Sequence, residues 1–134
     1  MANLKSIHVL VLEDDLKTLS VIMDVLARQE QELKNNFVVT VYSTFRDVEN
    51  IVNRGTLGNF DIILLDRDCK LGGSFHVLEM EKLDTRRIIA ISAIPQYNQD
   101  AVLRGVLRVV TKDHDQLDVF AMQLSEQIIG LISQ

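Results

Sequence analysis

Short apolar runs alternate with longer amphipathic stretches along the chain. The runs are Ile7 to Leu12, Phe37 to Val41, Ile62 to Leu65, Ile88 to Ile91 and Val106 to Val110. Each is short and rich in β-branched residues, the composition of a strand buried on both faces. Between them, apolar residues recur at helical spacing. Leu16, Leu19, Met23 and Leu26 form one stripe, Phe45, Val48, Ile51 and Val52 a second, and Leu117, Phe120, Leu124, Ile128 and Leu131 a third and longer one. Ser74 to Leu83 and Asn98 to Arg104 read as two further helices. Thr44 and Asp47 have the spacing of a capping box, Asp15 and Asp115 are candidate caps for the first and last helices, and Gly55 is a candidate stop for the second.

Every crossover is long enough to hold a helix, so the expected fold class is α/β. It is a (βα)5 doubly wound fold, with five parallel strands covered on both faces and joined by right-handed connections. Ligands of such open sheets sit at the carboxyl ends of the strands, near the point where the strand order reverses.

Composition narrows the picture. The 134 residues fit a single domain, 1–134, and 47 % apolar composition supports a real core. Neither a repeat nor a low-complexity tract is visible, and the lone proline, Pro95, marks no linker. The net charge of −5, with basic residues scattered, disfavours nucleic acid as a direct partner. Cys69 alone makes no internal disulfide and reads as packing, and His8, His76 and His114 show no metal-ligand pairing. No run approaches the roughly 20 residues that span a bilayer, and no leader opens the sequence, so no membrane association and a cytoplasmic location are expected.

The strand ends hold the candidate chemistry. The first run leads into Glu13, Asp14 and Asp15, the third into Asp66, the fourth into Ser92 and the fifth into Lys112. If the fold brings these ends together, with Asp15 capping the first helix, the other three carboxylates, a hydroxyl and an ammonium share one shallow site. Such carboxylates raise one another's pKa unless a cation is present. Mg²⁺, a hard ion that takes one or two carboxylates and keeps waters, is the natural occupant.

The ordered set LEDD, DIILLD, ISA and VVTK resembles the CheY-like receiver domain of bacterial two-component response regulators, from about Ile7 to the last helix. The resemblance implies strand order 2-1-3-4-5 and a phosphorelay function in signal transduction. Asp66 would accept a phosphoryl group from a sensor histidine kinase or phosphotransfer protein. Glu13, Asp14, Asp66 and the backbone carbonyl of Asp68 would hold Mg²⁺, Lys112 would pair with a phosphoryl oxygen, and Ser92 would donate its hydroxyl to another. Such a chain is no enzyme beyond promoting its own phosphorylation and dephosphorylation. Its target would be a downstream protein or an output domain absent from this chain, and a homodimer through the fourth helix, fifth strand and fifth helix is a family habit.

Several positions depart from that pattern. The aromatic expected three residues before the lysine is Val109, the proline expected after it is Asp113, and the proline expected four residues past the phosphoacceptor is Lys70. Without proline, the Lys112–Asp113 bond is expected to be trans. The expected glycine is Ser74, preceded by Gly72 and Gly73, and the interval from Ser92 to Gly105 is about two residues short. The side chain of Asp68 could orient a water or repel an incoming phosphate. Arg67 and His114 are expected on the rim, and Arg108 as a charge guarding a sheet edge.

Other readings compete. A flavodoxin-like nucleotide binder needs a phosphate-cradling loop where LEDDLKT would repel phosphate. A haloacid-dehalogenase-like phosphatase fits LLDRD, with Asp66 as nucleophile and Asp68 as acid/base, but that pair belongs on the first strand. A degenerate receiver acting as a phosphorylation-independent binding module is the remaining alternative.

Overall fold

A computed structural model describes residues 6–44, 46, 47, 50, 54, 60–68 and 84–133. Its five strands are β1 (Ser6–Leu12), β2 (Asn36–Tyr42), β3 (Ile62–Asp66), β4 (Ile88–Ser92) and β5 (Arg108–Thr111). They form one parallel sheet in the order β2-β1-β3-β4-β5, as expected. Three α-helices complete the described chain: α1 (Leu16–Leu33), α2 (Pro95–Leu103) and α3 (Leu117–Ile132). Among the described residues no helix is long and apolar enough to cross a membrane.

The two-residue period of the strands divides the core. Ile7, Val9 and Val11 point to one face with Ile62, Leu64, Ile89, Ile91 and Val110, where α1 supplies Ile22, Val25 and Leu26 and α3 supplies Phe120, Leu124 and Ile128. Leu10, Leu12, Ile63, Leu65, Ile88 and Ala90 point to the other face, where Ala101 of α2 and Val106 meet them. Strands buried on both faces explain runs that are apolar without alternation.

Local chemistry sets the boundaries. Asp15 caps α1 by accepting from the Thr18 backbone N–H at 3.0 Å and from its hydroxyl at 2.6 Å. At the other end Lys34 adopts a left-handed conformation, with φ 54°. The Thr44–Asp47 box also forms, since the Asp47 N–H donates to Thr44 Oγ1 at 3.3 Å and the Thr44 hydroxyl to Asp47 at 2.6 Å. Helix α2 begins at Pro95, three residues before the expected start, because a proline at the first helical position gives up no hydrogen bond.

Two boundaries correct the sequence expectation. Val106 is not part of a strand: its N–H donates to the Ala101 carbonyl at 3.0 Å and its side chain drops into the second core layer, so β5 starts only at Arg108. Gly105 makes that turn possible with φ +99°. The cap of α3 is Gln116, with no side-chain cap bond, while Asp115 donates its own N–H to Asp113 Oδ1 at 2.9 Å. The helices expected around Phe45 to Val52 and over Ser74 to Leu83, with Gly55, Cys69, Lys70, Gly72 and Gly73, lie outside or largely outside the described residues.

Candidate functional site

Five chain segments end at the carboxyl edge of the sheet, and the candidate residues meet there. Strand β1 runs into Glu13 and Asp14, β3 ends in Asp66, Asp68 follows two residues on, β4 ends in Ser92, and Lys112 follows β5. Parallel pairing makes this convergence automatic once Leu12 aligns with Leu65, Asp66 with Ile91 and Ser92 with Thr111. Glu13, Asp66, Ser92 and Lys112 are all buried.

Lys112 is the centre of the cluster. Its Nζ donates to both oxygens of Asp66, at 3.0 and 3.1 Å, and lies 3.3 Å from Asp68 Oδ2 and 3.6 Å from Glu13 Oε1. Its own N–H donates to the Ser92 carbonyl at 2.9 Å, which fixes where the side chain starts. The peptide bond to Asp113 is trans, as is every described peptide bond.

One ammonium among several carboxylates leaves negative charge in excess. Burial, reinforced by the Asp66 carboxylate, pushes the Glu13 carboxyl from its ordinary 4.5 up to about 10, and burial raises Asp66 as well. For Lys112 burial opposes the charge, but Asp66 and Glu13 outweigh it and hold the ammonium above its ordinary range. With no further cation, Glu13 and Asp66 therefore retain a shared proton near neutral pH.

A hard divalent cation fits this donor set. Carboxylate oxygens of Glu13, Asp14 and Asp66 lie within 4.8 Å of one another. Among the described residues Glu13 Oε1 is buried with no hydrogen-bond donor, a cost that a cation would remove.

Asp68 shows a contact that the sequence does not foretell. Its carboxylate accepts from the Ser92 hydroxyl at 2.5 Å and from the Ala93 N–H at 2.8 Å, while its N–H donates to Asp66 Oδ1 at 3.0 Å. Ser92 Oγ in turn accepts from the Ile94 N–H at 2.9 Å.

Arg67 corrects a further expectation. Its side chain is 0 % exposed and lies nowhere near the rim. The guanidinium donates to the Tyr97 carbonyl and to Asp100 Oδ2, both at 2.9 Å, and so ties the end of β3 to α2. Tyr97 and Asp100 are spaced to share one helix face, the single signal that could have paired them with an arginine. His114 is exposed. Arg108 lies on the edge strand β5 and donates to Gln127 of α3 at 3.0 Å.

No protein-family model matches the sequence, and no curated protein is similar to it. Among solved structures, a fusion carrying the yeast Spc42 trimeric coiled coil resembles the chain at a TM-score of 0.59 and 15 % identity, with 98 % of this chain and 85 % of that chain covered. At that identity the likeness extends to the fold alone: the chain folds as a five-stranded parallel α/β domain of 2-1-3-4-5 order.

Proposed function

We propose that this domain is a receiver-type phosphoacceptor, in which Asp66 takes a phosphoryl group from a phosphohistidine on a kinase or phosphotransfer protein and a protein partner reads the result. One observation carries the reading: a buried carboxylate at the end of the central β3 strand bonds a buried ammonium at 3.0 Å, with two further carboxylates within 4.8 Å. A purely structural ion pair has no use for the extra acidic groups, which cost stability unless a cation and an anionic ligand meet there.

In the transfer, an Asp66 carboxylate oxygen forms a bond to phosphorus while the bond from phosphorus to the histidine nitrogen breaks and its electron pair stays on the imidazole. Glu13, Asp14, Asp66 and the Asp68 backbone carbonyl would hold Mg²⁺, which would supply positive charge to offset the crowded oxygens. Lys112 holds the nucleophile in place and faces the oxygens that arrive, and the Ser92 hydroxyl is a second donor beside them. The role is that of a relay in signal transduction, with no separate substrate turned over.

A second reading is favoured by the contacts of Asp68. A carboxylate already seated on Ser92 and Ala93 is what a phosphorylation-independent binding module would keep. Intact-protein mass spectrometry after incubation with acetyl phosphate separates the two. A Mg²⁺-dependent, base-labile gain of one phosphoryl group, lost in Asp66→Asn, is expected. Folded protein that gains nothing would leave the binding module as the better reading.

A further inference from the structure

We infer that the outer edge of β2 is an interface between two copies of this chain, which pair β2 to β2 in antiparallel fashion about a two-fold axis and continue one sheet through both.

The two edges of the sheet are built differently. Strand β5 is four residues long and carries Arg108, and a short strand and a charge are both devices that keep an exposed edge from pairing. Strand β2 is seven residues long, NFVVTVY, with no charge, proline or glycine among them. Such a run has the composition that pairs most readily with another strand. Val38 and Val41 are 41 % and 37 % exposed, so its side chains already stand partly in solvent.

Backbone direction shows which groups are open. The Tyr42 carbonyl turns towards β1 and accepts from the Glu13 N–H at 3.2 Å. Alternate residues of a parallel strand bond to opposite sides, so Asn36, Val38, Thr40 and Tyr42 serve β1 while Phe37, Val39 and Val41 face outwards. Phe37 agrees, because its N–H donates to Glu30 of α1 at 2.8 Å. Among the described residues no strand lies beyond β2, and none bonds the N–H groups of Val39 and Val41.

The segment is complementary to itself. With Val39 opposite its own copy, Phe37 meets Val41 and Val38 meets Thr40, so every pair joins β-branched or aromatic residues and no like charges face each other. Glu30 keeps the Phe37 N–H. That leaves a pair of bonds between the Val39 residues and a second pair from each Val41 N–H to the other copy's Phe37 carbonyl. An extended peptide from another protein would meet the same open groups without this symmetric match. A two-fold contact closes on itself, so pairing stops at two copies. The antiparallel arrangement points the two carboxyl edges in opposite directions and leaves both acidic clusters open. The contact is small beside the roughly 1,200 Å² of a stable complex, so the dimer should form at micromolar concentrations and above.

The test is sedimentation velocity of the full chain over rising concentration, as wild type, Val38→Lys, Val41→Pro and Leu107→Lys, with circular dichroism to check folding. The wild type should pass from monomer to dimer. Val41→Pro removes an outward N–H and spares the bonds to β1, and losing both symmetry-related bonds should weaken the dimer by roughly thirtyfold. Val38→Lys alters a side chain that is already exposed and should weaken the dimer in a folded monomer, which decides the matter if Val41→Pro does not fold. Leu107→Lys, 71 % exposed beside the other edge, should leave the dimer intact. By NMR, the Val39 amide should gain protection from exchange as the wild type is concentrated, and lose that gain in Val38→Lys. A wild type that is monomeric throughout, or a dimer that Val38→Lys spares, would overturn the inference.

Discussion

Lys112→Met keeps the buried stem of the side chain and removes its charge. The ammonium lost stands 3.0 Å from Asp66, 3.3 Å from Asp68 and 3.6 Å from Glu13. At an effective dielectric constant of about 20, a contact with an ionised carboxylate at these distances represents roughly 5 kcal/mol of attraction, and Glu13 and Asp66, which share a proton, supply one such charge between them. Desolvation of a 2 % exposed side chain offsets most of it, and breaking one partner out of a buried ion pair costs about 3–5 kcal/mol. With a urea slope of about 2 kcal/mol/M, the unfolding midpoint should fall by roughly 2 M. The loss should also depend on pH. Glu13 and Asp66 have folded-state pKa values raised by burial, and Lys112 pulls both down, so its removal raises them further. A raised carboxyl keeps its proton in the folded state where the unfolded chain has released it, so stability falls as pH rises above the unfolded value of about 4.5. Urea unfolding followed by circular dichroism in chelator should show the full deficit at pH 8 and a deficit that nearly closes at pH 5. The same deficit at both values would refute the electrostatic account and assign the effect to packing of the stem.

The wild type in chelator should itself lose stability as pH rises from about 5 towards 9, and Mg²⁺ should flatten that slope by taking the place of the shared proton; a slope indifferent to Mg²⁺ would count against the cation site. Asp100→Ala should cost about 3 kcal/mol, because it strands a fully buried guanidinium, whereas Arg67→Met should cost only about 1–2 kcal/mol, because Asp100 is 45 % exposed and water can take over. Thermal unfolding of the two variants and their double mutant checks the order, and the reverse order would show that the arginine is not held by its charge. Gly130→Ala in α3 would place a Cβ 2.8 Å from Arg108 Nη1, at the tip of a flexible side chain. The helix-propensity gain of about 1 kcal/mol and the loss of the Arg108–Gln127 bond should nearly cancel, so a measured loss above roughly 2 kcal/mol would mean that Arg108 cannot move aside.

The sheet and the meeting of Glu13, Asp14, Asp66, Ser92 and Lys112 were legible because both depend on period and order. Apolar runs of β-branched residues can be recognised without knowing their neighbours, and parallel pairing then brings their carboxyl ends together. Less legible was anything decided by a single long-range hydrogen bond. Arg67 reads as a surface residue in every local window, and only the return of α2 beside β3 supplies the Tyr97 carbonyl and Asp100 that permit its burial. Asp115 has the residue type of a cap, but the chain turns one residue later, and side-chain type alone does not fix where a turn ends. Val106 shows the same limit from the apolar side, since a β-branched residue after a glycine turn serves a helix exit as well as a strand.

The packing of α3 has a consequence for how the protein is made. A nascent chain that had emerged as far as Lys112 would contain all five described strands and every acidic residue of the site. It would still lack Phe120, Leu124 and Ile128, fully buried residues of the core layer that also holds Val9, Val11, Ile89 and Ile91. An open apolar sheet face of that kind cannot persist in water and is a target for chaperones or for other chains. The carboxylates would meanwhile repel one another on a sheet too loose to hold them. That core layer is therefore complete only once α3 has left the ribosome.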